Sequence, residues 1–195
     1  MISAPPSNRA IWALMTTALC LLALGSPVAC AQNYGAATPA DDRQKLTLVY
    51  RLYDEYRRQF PEICEISVKQ ARATAAASKP ILFVDVRGSA EQEISMLPGA
   101  IDKKQFIEDY HRYRDHLVVV YCTISYRSGL FAKKMAARGI TVCNLRGGLL
   151  AWILEGGLIT DARGVTNRVH VFGETWDLAP DGYQTITYPW WRRLF

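Results

Sequence analysis

The chain has 195 residues, 50% of them hydrophobic and 21% charged, with a formal net charge of +5. That composition excludes a disordered chain and predicts one ordinary packed domain with extensions. Its basic residues are scattered, apart from pairs such as Lys103-Lys104 and Lys133-Lys134. No nucleic-acid-binding motif accompanies them, so nucleic acid is not an expected partner, and the positive balance mildly favours anionic ligands or an anionic membrane surface.

Residues 1–31 are expected to be a signal peptide. Arg9 precedes an apolar stretch over residues 11–24, and Ala29-Cys30-Ala31 gives a small-x-small end with cleavage before Gln32. Two other readings stay open. Val28-Ala29-Cys30 is similar to the end of a lipobox, which would make Cys30 a lipid-bearing terminus. An uncleaved anchor is the other, although the apolar stretch is short for the ~20 residues of a span. All three place the domain outside the cytosol, in the periplasm or secreted.

Residues 32–61 read as a linker followed by a helix. The linker is small and polar. Over residues 43–60, Leu46, Val49, Tyr53, Tyr56 and Phe60 recur at three- and four-residue steps and form one apolar face, with Asp41 and Asp42 before it and Pro61 after it. The core domain is expected over residues 62–160. Residues 63–66 suit a short strand, and Ser67-Val68-Lys69-Gln70 has the spacing of a capping box opening a second helix. Residues 81–86 form an apolar run with one acid, Asp85, as in a strand buried on both faces. A helical turn over residues 91–96 follows, then a helix over 103–114 with Phe106, Ile107 and Tyr110 inward. A strand over 117–121, a loop over 122–127 and a helix over 128–138 come next. A strand over 140–145 and a helix over 149–154 end the domain. Alternation at this spacing predicts an α/β fold with a parallel sheet covered on both faces.

The chemistry concentrates at Cys122. It follows the apolar run Val118-Val119-Val120-Tyr121, whose valines are β-branched, and precedes a helix N-terminus, where backbone N–H groups and the helix dipole favour an anion. A cysteine there is expected to be partly ionised near neutral pH and nucleophilic. Arg127 adds a planar cation able to fork onto an oxyanion. His111, His116 and His170 show no triad spacing, and no metal or cofactor is expected.

These motifs in this order resemble a rhodanese-like sulfurtransferase domain. Val84-Asp85-Val86-Arg87 is similar to the family's strand-end Asp-x-Arg, Pro98-Gly99-Ala100 to its turn, residues 120–128 to its active-site loop, and Gly147-Gly148 through Trp152 to its Gly-Gly-x-x-x-Trp signature. Two positions depart from the pattern. Ser125 stands where the family often has glycine, and Ser95-Met96-Leu97 replaces Gly-His-Ile. The resemblance implies a sheet of about five strands. It also implies a Cys122 persulfide formed from a small anionic donor such as thiosulfate and passed to a thiol or cyanide-like acceptor.

In that scheme Arg127 binds the donor, and Thr123, Ile124, Ser125, Tyr126 and Ser128 supply the rest of the loop. Asp85 and Arg87 brace neighbouring loops. Ser125 keeps a second reading open, a persulfide carrier without turnover. Phosphatase relatives of the fold look like Cys-x5-Arg; the Cys-x4-Arg spacing here argues for sulfur. In the family the first short strand lies beside the last, which would put Cys64 next to Cys143. A disulfide and two buried small side chains are both compatible with that placement. Residues 161–195, rich in Trp and Tyr, are expected to wrap the core as a C-terminal extension, with Trp190-Trp191-Arg192-Arg193 as a rival membrane contact. A monomer is expected.

Overall fold

The structure, a computed structural model, describes residues 41–188. The signal segment, the linker and Trp190 to Arg193 lie outside the described residues.

Five parallel strands form the central sheet in the order β1-β5-β4-β2-β3: β1 (Cys64–Ile66), β2 (Ile81–Asp85), β3 (Ile101–Asp102), β4 (Leu117–Tyr121) and β5 (Cys143–Leu145). The α/β reading is thus met. Strand β4 shows how the sheet sorts its side chains. Val118 and Val120 enter one core and Val119 and Tyr121 the other, because strand side chains alternate faces. On the first face, Phe106 of α4 (Lys103–Asp109) and Ala132 and Met135 of α5 (Tyr126–Ala136) cover the sheet. On the second lie Val49 of α1 (Asp42–Arg57), Val68 and Ala71 of α2 (Val68–Ala76) and residues 149–153 of α6 (Gly148–Leu154).

Local signals set several boundaries. Asp41 Oδ1 accepts from Gln44 N at 2.8 Å and starts α1; Ser67 and Gln70 form a reciprocal capping box at α2. Some limits differ from the sequence reading. The helix over 103–114 divides: α4 stops at Asp109, and residues Tyr110–Tyr113 form a 3-10 turn. Ile107 is exposed, so only Phe106 of that first turn is a fully inward residue. The turn after β2 is α3, Ser89–Gln92, and β5 begins at Cys143. Helix α5 begins at Tyr126, which places Arg127 in a helical first turn instead of a loop.

Beyond the sheet, β6 (Ile159–Asp161) and β7 (Gly164–Thr166) make a hairpin, and β8 (Arg168–His170) pairs in parallel with β9 (Gln184–Ile186). This C-terminal segment returns to the domain at separate points. Lys45 Nζ lies 2.5 Å from Asp181 Oδ1, Trp176 Nε1 donates to Tyr56 OH at 3.2 Å, and Tyr188 OH donates to Ala90 O at 3.0 Å. Among the described residues no helix is long and apolar enough to cross a membrane.

Candidate active site

Strand β4 delivers Cys122 to the carboxyl end of the sheet, and α5 starts four residues later. Ligand sites of open α/β sheets lie at such strand ends. The side chain of Cys122 continues the alternation of Val118 and Val120 and is 2% exposed. Ser128 Oγ donates to its sulfur at 3.6 Å. It is a free thiol, whereas Cys64 and Cys143 are joined as a disulfide across paired positions of β1 and β5.

Ser125 caps α5 with φ 74° and ψ 0°, in the left-handed region. A β-carbon costs roughly 1–2 kcal/mol there, which is why glycine suits the position. Serine is accommodated by the end of β5: its hydroxyl donates to Leu145 O, and Asn144 Nδ2 donates to its carbonyl at 3.1 Å. All of Ser125 is buried. The polar side chain thus gains a hydrogen bond that offsets part of the strain.

The start of α6 sets the other side of the loop. Leu149 N donates to Cys122 O at 2.9 Å and Leu150 N to Thr123 O at 3.1 Å. A structural brace lies behind the site. Asp85 and Arg87 are fully buried and paired at 2.7 Å, and Arg87 Nη2 also donates to Ser95 O at 2.5 Å. Tyr121 OH accepts from Leu97 N at 3.0 Å. Trp152 is a core anchor, donating to Leu158 O at 2.8 Å and meeting Phe83 edge-on. Among the described residues no cluster of three or more His, Cys, Asp or Glu is arranged to hold a metal.

Arg127 is not the open cation that its spacing suggested. Its Nη1 donates to Glu91 Oε2 at 2.6 Å and its Nη2 to Glu91 Oε1 at 2.8 Å, with a third bond to Thr123 Oγ1 at 3.3 Å. Burial works against its charge, but the Glu91 bonds and the nearby Cys122 sulfur outweigh it, so the guanidinium is more firmly protonated than usual. For Glu91, burial favours the neutral acid; the bonds from Arg127 and His170 override it and hold the carboxyl well below the ordinary range. His170 Nδ1 lies 3.2 Å from Glu91 Oε1, and its ring stacks on Tyr188 at 4.8 Å.

Above Cys122 opens a cavity of about 360 Å³, walled by Tyr56, Ile124, Tyr126, Arg127, Phe172 and Trp176 with Thr123. Of the residues that sequence reasoning assigned to the site, Cys122, Thr123, Ile124, Tyr126 and Arg127 line this cavity, whereas Ser125 and Ser128 are buried beside it. That reasoning did not assign Glu91, His170, Phe172 or Trp176 to the site, and it read Tyr56 only as part of a packing face. Glu91 sits in the first turn of the short α3, where its Oε2 accepts from Gly88 N at 3.1 Å, a local capping role that gives no sign of Arg127.

A "Sulfurtransferase" from Allochromatium vinosum is 30% identical to this chain over 96 residues, which cover 47% of the chain and 90% of that protein. The family model for the rhodanese-like domain matches residues 67–155. The chain belongs to the rhodanese-like domain family. A "tRNA sulfurtransferase" from Desulfurococcus amylolyticus is 31% identical over 115 residues, 55% of the chain but 23% of that protein, so the chain spans less than a quarter of its length. Among solved structures, a rhodanese-like domain protein from Staphylococcus aureus aligns with TM-score 0.41 and 26% identity over 46% of the chain and 91% of its own. The rhodanese-like match contains Cys122, Arg127, Glu91 and Gly148. Tyr56, His170, Phe172 and Trp176 lie outside it.

Proposed function

We propose that the protein is a sulfurtransferase that carries sulfane sulfur as a persulfide on Cys122. The observation that carries this reading is the placement of a free, nearly buried cysteine at the β4–α5 turn, under a cavity. The family membership and the sulfurtransferase relatives support it.

In the first step the Cys122 thiolate attacks the outer sulfur of a thiosulfate-like donor. The Cys122 S–S bond forms, the donor's S–S bond breaks, and sulfite leaves with the bonding pair, so the total charge is conserved. In the second step a thiolate or cyanide takes the outer sulfur and the Cys122 thiolate returns. No base is needed in either step, and two half-reactions predict ping-pong kinetics. The α5 N-terminus favours the negative charge. Arg127 spends three of its five N–H donors on Glu91 and Thr123, so at most two remain for a donor oxyanion. The Cys64–Cys143 bond supports placement in an oxidising compartment outside the cytosol.

Thiosulfate:cyanide turnover, combined with intact mass measurement after exposure to thiosulfate, tests the reading. The expected result is a species heavier by one sulfur atom and steady turnover, both lost in Cys122→Ser. A stable adduct without turnover identifies a carrier, a reading that the occupied Arg127 fork favours. Absence of any adduct from thiosulfate or polysulfide overturns both.

A further inference from the structure

The cavity over Cys122 is rimmed by an unbroken chain of contacts. Tyr126 meets Tyr56 with ring centroids 5.2 Å apart, and Tyr56 OH accepts from Trp176 Nε1 at 3.2 Å. Trp176 meets Phe172 edge-on at 5.8 Å, and the Arg127 guanidinium lies 5.4 Å from the Phe172 ring centre, returning the circuit to α5. Four aromatic side chains therefore surround the approach to one sulfur atom. Three of them, Tyr56, Phe172 and Trp176, come from segments on either side of the matched region 67–155. The enclosure is thus supplied by this chain's own additions to the domain.

The chemistry of that rim does not suit a small inorganic acceptor. A hydrated anion such as cyanide would gain little from aromatic walls, and the one cation on the rim has its fork on Glu91. A cavity of about 360 Å³ falls in the range that holds a small organic ligand, for which apolar walls and few polar groups are the usual lining. Aromatic side chains supply large contact area at fixed geometry.

We propose that Phe172 and Trp176 are specificity-determining residues and that the acceptor is an organic thiol with an apolar or aromatic body. The proposal rests on the persulfide reading of Cys122. The acceptor's thiolate attacks the outer sulfur of the Cys122 persulfide. A new S–S bond forms on the acceptor, the enzyme's S–S bond breaks, and the Cys122 thiolate leaves, so an organic persulfide is released and no oxidant or reductant is required. The acceptor's body lies against Tyr56, Trp176 and Phe172 while its sulfur reaches the loop.

The test preloads the protein with sulfur from thiosulfate, confirms the adduct by mass, and follows its discharge by phenylmethanethiol and by 2-mercaptoethanol, thiols of similar acidity. The expected result is that phenylmethanethiol discharges the persulfide about ten-fold faster or more at sub-saturating concentration, the scale on which apolar pockets discriminate. Trp176→Ala and Phe172→Ala should collapse the ratio towards one, while Trp176→Phe retains most of it. The ratio is measured only on the loaded fraction, so a poorly folded variant does not mimic the effect. Equal rates for the two thiols in the unsubstituted protein overturn the proposal while leaving the persulfide intact. Failure to load Cys122 at all removes the reading beneath it.

Discussion

Gly148 lies directly against the backbone of Cys122. A Cβ at Gly148 would stand 2.4 Å from Cys122 O and 2.9 Å from the carbonyl carbon of Thr123, and its φ is +61°. Both neighbours are backbone atoms that the α6 amides hold by hydrogen bonds. The second glycine of the Gly147-Gly148 pair is therefore a requirement of the cysteine loop itself. Gly148→Ala should cost about 2–4 kcal/mol, combining overpacking with left-handed strain. It should also slow sulfur loading of Cys122, because the clash moves the loop. Urea unfolding and the loading rate are the measurements; unchanged values for both would show that the loop tolerates the displacement.

Ser125 gives a ranking instead of a single value. Ser125→Gly removes the left-handed strain but also the hydroxyl bond to Leu145 O. Ser125→Ala keeps the strain, loses the bond and leaves a buried carbonyl short of a donor, at about 1–3 kcal/mol. The expected order of stability is Ser125 at or above Gly, and both above Ala, read from denaturant midpoints. Alanine equal to serine would mean that the hydroxyl contributes nothing.

Much of this was legible in the linear sequence, for a physical reason. Strand β4 and the Cys122 loop are contiguous, so periodicity and local chemistry fix them; the capping box at Ser67 and Gln70 is local too. The Ser125 strain could be suspected because glycine is the usual solution to a positive φ. Its remedy could not, since Leu145 and Asn144 lie about twenty residues away and meet it only across the sheet. The same holds for Arg127. Its spacing to Cys122 is a local property, but its partner Glu91 is 36 residues distant. Ile107 was misplaced because adjacent residues of a helix point about 100° apart, so with Phe106 turned to the sheet Ile107 falls at the edge of the buried face of α4.

The buried pair Asp85–Arg87 predicts an asymmetric outcome. Both side chains are fully buried, and burial opposes the Arg87 charge that Asp85 sustains. Asp85→Asn leaves that charge without its counter-ion and should cost about 3–5 kcal/mol. Sulfur loading per folded molecule should remain, because neither residue lines the cavity over Cys122. Thermal unfolding with parallel loading assays would detect the separation.

The disulfide yields a direct chemical prediction. Peptide mapping without reductant should show the Cys64 peptide linked to the Cys143 peptide, with Cys122 alkylated. The bridge closes a loop with a sequence separation of 79, so its reduction should lower stability by about 2–5 kcal/mol. Alkylation of Cys64 and Cys143 in the unreduced, unfolded chain would contradict the bridge.

The ion pair of Glu91 with Arg127 yields a prediction for acid stability and another for donor binding. The Glu91 carboxyl is held below the usual 4.5, so it takes up a proton less readily folded than unfolded. Its contribution is therefore complete above about pH 4.5 and is lost as pH falls further below that value. Glu91→Gln should remove this part of the acid slope. At neutral pH it should cost about 1–2 kcal/mol, a modest figure because Arg127 is one-third exposed to solvent. The same substitution weakens the clasp on the guanidinium. An oxyanion then competes for Arg127 against a neutral amide instead of a carboxylate, so the KM for thiosulfate should fall several-fold. Steady-state kinetics at neutral pH, beside unfolding curves from pH 3 to 7, would measure the two effects on one protein. A raised KM would mean that Glu91 positions Arg127 for the donor and does not withhold it.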